Sequence, residues 1–145
     1  PNSYRRFRAG ALAPSGRSWG YDHREVALRV PRSSEHNRRI EHRVAGADSN
    51  PYLAVAALLA GIHLGIDRQC EAPPAISGNA WVEDAANVCL PGHMAEAVAR
   101  FSESANVRET LSAEFQLAFS EVKKQELSEF ERRVTDFELE TYLSA

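Results

Sequence analysis

The sequence predicts an α+β fold, with a few antiparallel strands near residues 4–8, 24–30 and 39–43 followed by a mostly helical second half. Three observations carry this expectation. Two early segments alternate apolar and polar residues with a period of two, the signature of strands with one face in a core. A long segment opened by Asn50-Pro51 is apolar or small on almost every helical face, and Val107–Val134 repeats apolar residues at near-helical spacing. With 145 residues, 43% hydrophobic and 26% charged, the chain has the size and composition of one ordinary domain. Neither number names a function.

Residues 1–23 are rich in Gly, Pro, Ser and Arg without a sustained period, so they read as loop with a short strand near Tyr4–Arg8. Arginine-rich loops of this kind commonly line sites. In Arg24–Val30, Val26, Leu28 and Val30 alternate against Ala27 and Arg29, which predicts a strand ended by Pro31. After a polar turn at 32–37 comes the strand at 39–43, the two pairing as a hairpin with a long connection. Alternation there puts Arg39, Glu41 and Arg43 on one face and Ile40, His42 and Val44 on the other. A carboxylate between two guanidiniums could be a surface charge ladder. Val44, Ala45 and the apolar helix that follows favour a strand near the core, where charges need partners.

Asn50 is a favoured N-cap, and Pro51 at the first helical position sacrifices no intrahelical donor. The helix to Ile66 should pack on several sides within a larger protein, and it is too short to cross a membrane. His63 reads as a core or boundary histidine, since no second ligand stands at i+4. Residues 68–91, punctuated by Pro73-Pro74, Ser77-Gly78-Asn79 and Leu90-Pro91, read as an irregular connector. Helices follow at His93–Phe101 and Val107–Val134. Thr135-Asp136-Phe137-Glu138 has the capping-box form that starts a last helix to Leu143. The aromatic stripe along these helices reads as packing.

Charge is unevenly placed. Pro1–Arg43 holds ten Arg, no Lys and four acids, a balance of +6, whereas the remainder carries a balance of −9. An arginine-only basic segment suits two-point gripping of carboxylate or phosphate. A nucleic-acid-binding segment is the rival reading, but no nucleic-acid-binding pattern accompanies these arginines. Cys70 and Cys89 lack disulfide-framework or metal-ligand spacing, which suggests thiols in a reducing compartment. The first residues show no signal pattern and no bilayer-spanning run, so a cytoplasmic protein with no membrane partner is expected.

Several stretches resemble, in order and spacing, the C-terminal part of the glutamine synthetase catalytic domain. They are Asn2-Ser3-Tyr4-Arg5-Arg6 with Ala13-Pro14; Trp19-Gly20 followed by Arg24 and Arg29; Arg39-Ile40-Glu41-x-Arg43; and Asn50-Pro51-Tyr52-Leu53-Ala54. Gly78-Asn79-Ala80-Trp81, Leu90-Pro91, Glu96-Ala97, Glu138 and Tyr142-Leu143 look most like the γ-glutamylpolyamine synthetase branch, so the resemblance spans the whole chain.

The resemblance implies an ATP-dependent ligase that phosphorylates the side-chain carboxylate of glutamate and lets an amine displace the phosphate. By position, Arg6 looks like the arginine that binds the amino-acid carboxylate, and Arg43 like the one at the reacting end of glutamate. Arg24 and Arg29 look like the pair that meets the ATP phosphates, with Arg24 in the catalytic place, and Arg39 lies near the nucleotide. Glu41 matches a carboxylate ligand of one of two Mg²⁺ or Mn²⁺ ions, a hard donor for a hard cation. The resemblance also implies a homo-oligomeric ring.

Departures from the family pattern bear on the acceptor. Where ammonia-using members carry a glutamate two residues before the proline of the Ala-Pro pair, this chain has Leu12. An apolar side chain can pack against the methylenes of a larger amine but cannot attract ammonium, which favours a polyamine or alkylamine such as putrescine over ammonia. The acid expected shortly before Asn50-Pro51 is displaced, with Gly46 and Asp48 in its neighbourhood. Residues 1–49 would then hold site loops and strands and 50–145 a helical part. The β-grasp domain and most metal-binding carboxylates are expected to precede residue 1. A 145-residue piece of this kind should be inactive alone, and its exposed apolar surface should favour self-association. Two other classes stay open, a non-catalytic interaction or regulatory module derived from the ligase fold and an anion- or nucleic-acid-binding domain.

Overall fold

Three short segments, Trp-Gly-Tyr, Leu-Arg-Val and Glu-His, build the only sheet found among the described residues of the computed structural model, which are all but Ala9, Ser15, 85–88, Ser144 and Ala145. Strands β1 (Trp19–Tyr21), β2 (Leu28–Val30) and β3 (Glu41–His42) lie in the order β1-β2-β3. β2 and β3 pair antiparallel with Arg29 opposite Glu41, as the hairpin reading expects. β1 and β2 run parallel, with Gly20 opposite Arg29. Only the second half of the expected 24–30 strand is extended into the sheet, because the chain must reverse within 22–27 to lie beside β1 in the same direction. That reversal turns Val26 inward, where it forms a buried cluster with Ile76 and Ala80.

No strand forms at Tyr4–Arg8. Asn2–Arg6 is a tight 3-10 turn, and Phe7 and Arg8 donate their N–H groups to the nearby carbonyls of Tyr4 and Arg6. With no neighbouring strand edge to pair with, the backbone satisfies itself locally. Conversely, β1 arises in the stretch read as loop, and part of the expected connector runs along it. Ile76 N–H donates to the Trp19 carbonyl at 2.9 Å, and the Trp19 indole donates to the Pro73 carbonyl at 2.6 Å. Gly20 permits this approach, since a Cβ there would lie 2.5 Å from the Ile76 carbonyl oxygen.

Helix α1 (Pro51–Asp67) begins as the sequence indicates, with the Asn50 side chain accepting from the N–H groups of Tyr52 and Leu53. None of its residues is buried, and Tyr52 and Ile66 are 84% and 74% exposed. The expected packing on several sides is therefore not made by the described residues, and His63 too is exposed. The connector holds a short helix, α2 (Ala80–Asp84); residues 85–88 lie outside the described residues.

The chain divides into two units, Asn2–Gly92 and His93–Ala145. In the second, the stretch expected as one helix over Val107–Val134 is two, α4 (Ala105–Leu111) and α5 (Ala113–Glu131), following α3 (Met94–Glu103). The break is at Ser112, whose φ of 77° no helix accepts and whose side chain caps α5 by accepting from Phe115 N–H. Tertiary contacts explain why helical periodicity failed to reveal it. Gln116 is buried and donates to the carbonyls of Phe101 and Ser104 at 2.7 and 2.8 Å, satisfying orphan acceptors at the end of α3. Rings of Phe101, Phe115 and Phe119 meet between α3 and α5, the first and last with centroids 5.1 Å apart.

The last helix, α6 (Asp136–Tyr142), carries the expected reciprocal capping box between Thr135 and Glu138. Hydrogen bonds from the Thr135 backbone N–H and then its hydroxyl hold the Glu138 carboxyl below the ordinary carboxylate range. A depressed folded-state value means that the cap's contribution is present above the ordinary carboxylate pKa and disappears as pH falls through the folded one. Circular dichroism during acid titration should therefore show Glu138→Gln lowering helicity near neutrality. The gap to the unmodified chain should narrow as the pH falls below the ordinary carboxylate range.

Candidate functional site

The centre of the sheet places opposite charges in register. Because Arg29 stands opposite Glu41 across β2 and β3, its Nη1 donates to Glu41 Oε2 at 2.9 Å. Arg39 Nη2 donates to Glu41 Oε1 at 3.2 Å, so each carboxylate oxygen accepts from a different guanidinium. Burial pushes the Glu41 carboxyl up, but the hydrogen bonds and charges of Arg29 and then Arg39 outweigh it and leave the carboxyl below its usual range. Arg29 has a second acid on its other side, Asp22, whose Oδ1 accepts from Nη2 at 3.3 Å.

Alternation along 39–43 foresaw the acid and one of its two partners. β3 is only two residues long, so face parity does not extend reliably to Arg43, and the second partner comes from across the sheet. Arg43 instead sends Nη2 to the Leu12 carbonyl at 3.1 Å. The Nε atoms of Arg29 and Arg43 are both buried without an acceptor among the described residues, so the donors left for an added anion are the unused N–H groups on their Nη atoms.

Arg6 comes from the 3-10 turn and reaches the carbonyls of Val44 and Arg43 at 3.3 and 3.2 Å. Beside it, Ser3 donates to Asp48, which depresses the Asp48 carboxyl. Gly46 lies under this clasp, where a Cβ would collide with Ser3 Oγ and come within 3.2 Å of Arg6 Nη1. Arg6 also lines an open hollow of about 540 Å³ together with Arg5, Arg8 and Leu12. The structure therefore joins Arg29, Glu41 and Arg39 directly and braces Arg6, Arg43 and the Leu12 backbone into one neighbouring network. Arg24 is not brought in: it sits exposed on the reversal between β1 and β2, with no ion pair among the described residues.

Sequence reasoning passed over Asp22. The available signal was compositional: it is one of only four acids among the first 43 residues, set against ten arginines. Glu41 alone does not make a metal centre. No group of three potential His, Cys, Asp or Glu ligands occurs among the described residues, and both oxygens of Glu41 already accept from arginines. The N–H groups of Arg29, Arg39 and Arg43 that the protein leaves unused suit an anion, whereas a Glu41 oxygen becomes free for a cation only when an arginine releases it.

Comparison with known proteins bears on this geometry. The family described as "Glutamine synthetase, catalytic domain" matches residues 1–142. The chain is 40% identical over 142 residues to gamma-glutamylputrescine synthetase PuuA of Escherichia coli (strain K12), covering 98% of the chain and 30% of that protein. It is likewise 40% identical over 141 residues to gamma-glutamylethanolamide synthetase GlnA4 of Streptomyces coelicolor, covering 95% and 29%. Among solved structures, it is similar to "Apo GmaS without ligand", with a TM-score of 0.78 and 26% identity over 99% of the chain and 33% of that structure. The chain thus spans about a third of the length of these relatives.

Gly46→Ala should force apart the Ser3–Asp48 clasp and shift Arg6, with only a small loss of stability, because the atoms in the way are ends of flexible side chains. Urea denaturation should show the loss as a lower midpoint with an unchanged slope.

Proposed function

This chain belongs to the glutamine synthetase catalytic-domain family, and on that premise we propose that it supplies the arginine-rich part of an ATP-dependent glutamate–amine ligase. The observation that carries the reading is the Arg29–Glu41–Arg39 group, a carboxylate held between forked cations that keep N–H donors beyond those it accepts. In the reaction, a glutamate γ-carboxylate oxygen forms a bond to the γ-phosphorus of ATP as ADP leaves. The amine nitrogen then bonds to the acyl carbon, phosphate leaves and the nitrogen loses a proton.

Phosphoryl transfer needs positioning and neutralisation of charge on the phosphate oxygens more than it needs covalent help. Arg29 and Arg39 are suited to that, with Arg24 joining them from its exposed turn in the catalytic place. Arg6 would take the amino-acid carboxylate beside its bonds to 43–44, and Arg43 would face the reacting end of glutamate. Divalent Mg²⁺ or Mn²⁺ would draw one oxygen ligand from Glu41. One carboxylate is not a site, and the other donors would come from parts of the relatives that this chain does not span. The isolated 145 residues should accordingly show no ATP- and glutamate-dependent ligation. We assign the full-length protein to the cytoplasm, as a homo-oligomeric ring with neither membrane nor nucleic acid as partner; among the described residues no helix is long and apolar enough to cross a membrane.

The acceptor we assign is an alkylamine or polyamine. Leu12 is 63% exposed at the rim of the arginine-lined hollow and gives ammonium no carboxylate to approach. Two of the relatives are named for glutamyl conjugates of putrescine and of ethanolamine, both primary amines with methylenes to bury. In the full-length protein, kcat/KM for putrescine or ethanolamine should exceed that for ammonia. Leu12→Glu should shift the ratio toward ammonia by about tenfold, a single charge-assisted contact's worth. A native preference for ammonia would replace this reading with that of an ordinary glutamine synthetase.

A further inference from the structure

Among the described residues, Arg29 is the one candidate arginine whose two Nη atoms are both held by carboxylates, and the second of these carboxylates, on Asp22, belongs to no motif identified in the sequence. Asp22 follows β1 directly with φ at 51°, a left-handed conformation that Asp and Asn tolerate better than other side chains with a Cβ. Its own N–H donates to the Val30 carbonyl at 3.1 Å, fixing it to the end of β2. Its Oδ1 accepts at 3.0 Å from the backbone N–H of Arg32 as well as from Arg29 Nη2, and its Oδ2 lies 3.6 Å from Arg32 Nε.

We propose that Asp22 is a positioning residue that fixes the orientation of the Arg29 guanidinium for a nucleotide phosphate. Glu41 is a divided partner, since Arg39 competes for it and its other oxygen is the one Arg29 uses. A guanidinium held on one side alone can pivot about that contact. A second carboxylate on the opposite Nη, braced by the Arg32 N–H on its Oδ1 and by the bond from its own residue's N–H to Val30, removes the pivot and leaves the remaining N–H of each Nη aimed in one direction. Fixing a side chain before the ligand arrives spares the ligand that ordering cost. The proposal rests on the reading of Arg29 as a phosphate-binding residue.

The test is a double-mutant cycle in the full-length protein. Asp22→Asn is the cleaner variant, because asparagine keeps an acceptor for the Arg32 N–H and tolerates the left-handed backbone, while losing the charge that holds Arg29. Asp22→Ala is the harsher comparison. Both contacting side chains are partly exposed, at 42% for Asp22 and 22% for Arg29, which keeps the expected effect modest. Asp22→Asn should weaken ATP binding in calorimetry and raise KM for ATP by about three- to tenfold, with KM for glutamate within about twofold. In an Arg29→Ala background it should add nothing, since the two changes remove one interaction. An equal loss of ATP affinity with and without Arg29, or an equal rise in both KM values, would overturn the positioning role while leaving Arg29 as a phosphate residue. If Arg29→Ala itself leaves ATP binding unchanged, the phosphate reading fails and the positioning role fails with it.

Discussion

The contact between Arg29 and Glu41 across β2 and β3 is the constraint on which the rest of the candidate site depends. It is a pairing of register as much as of charge: sliding β3 by one residue would turn Glu41 to the opposite face and leave Arg29 and Arg39 without their shared acid. Burial by itself would push the Glu41 carboxyl toward protonation, and the two guanidiniums reverse that. The sheet therefore keeps an ionised carboxylate at a partly buried place among cations.

Several candidate arginines act first as internal struts. Arg6 donates to two backbone carbonyls of the 43–44 segment, and Arg43 donates to the carbonyl of Leu12. Each guanidinium has five N–H donors, so using one or two on the protein's own backbone leaves others available while reducing the freedom that a ligand would have to freeze. Arginine suits this dual use better than lysine, whose ammonium has no fixed plane to carry geometry from a backbone bond to a ligand bond. The absence of lysine from the first 43 residues follows the same logic.

Legibility from sequence differed with the range of the interactions involved. Asn50 and Thr135 announced their helices because a cap is a contact between residues two or three apart. The antiparallel pairing of the second and third strands was legible from alternation, and the family from motifs spread over the whole chain. Other features were hidden because they answer to distant residues. β1 depends on Ile76 and Pro73 passing alongside it, and the break at Ser112 accompanies a glutamine that satisfies carbonyls a dozen or more residues away. Asp22 stayed unremarked because its partners, Arg29 and Arg32, become neighbours only when the chain reverses.

Helix α1 marks the same boundary from the other side. Its apolar composition indicated a helix, which formed, and packing on several faces, which the described residues do not supply: Tyr52, Val55, Leu59 and Ile66 lie exposed. By itself the sequence determined the helix caps, the strand alternation, the arginine-only charge segment and the family, all consequences of residue type and local spacing. Tertiary structure decided which acid each arginine meets, because Arg29 finds Glu41 across the sheet and Asp22 around a turn, and contacts between separated segments have no period for a one-dimensional pattern to record.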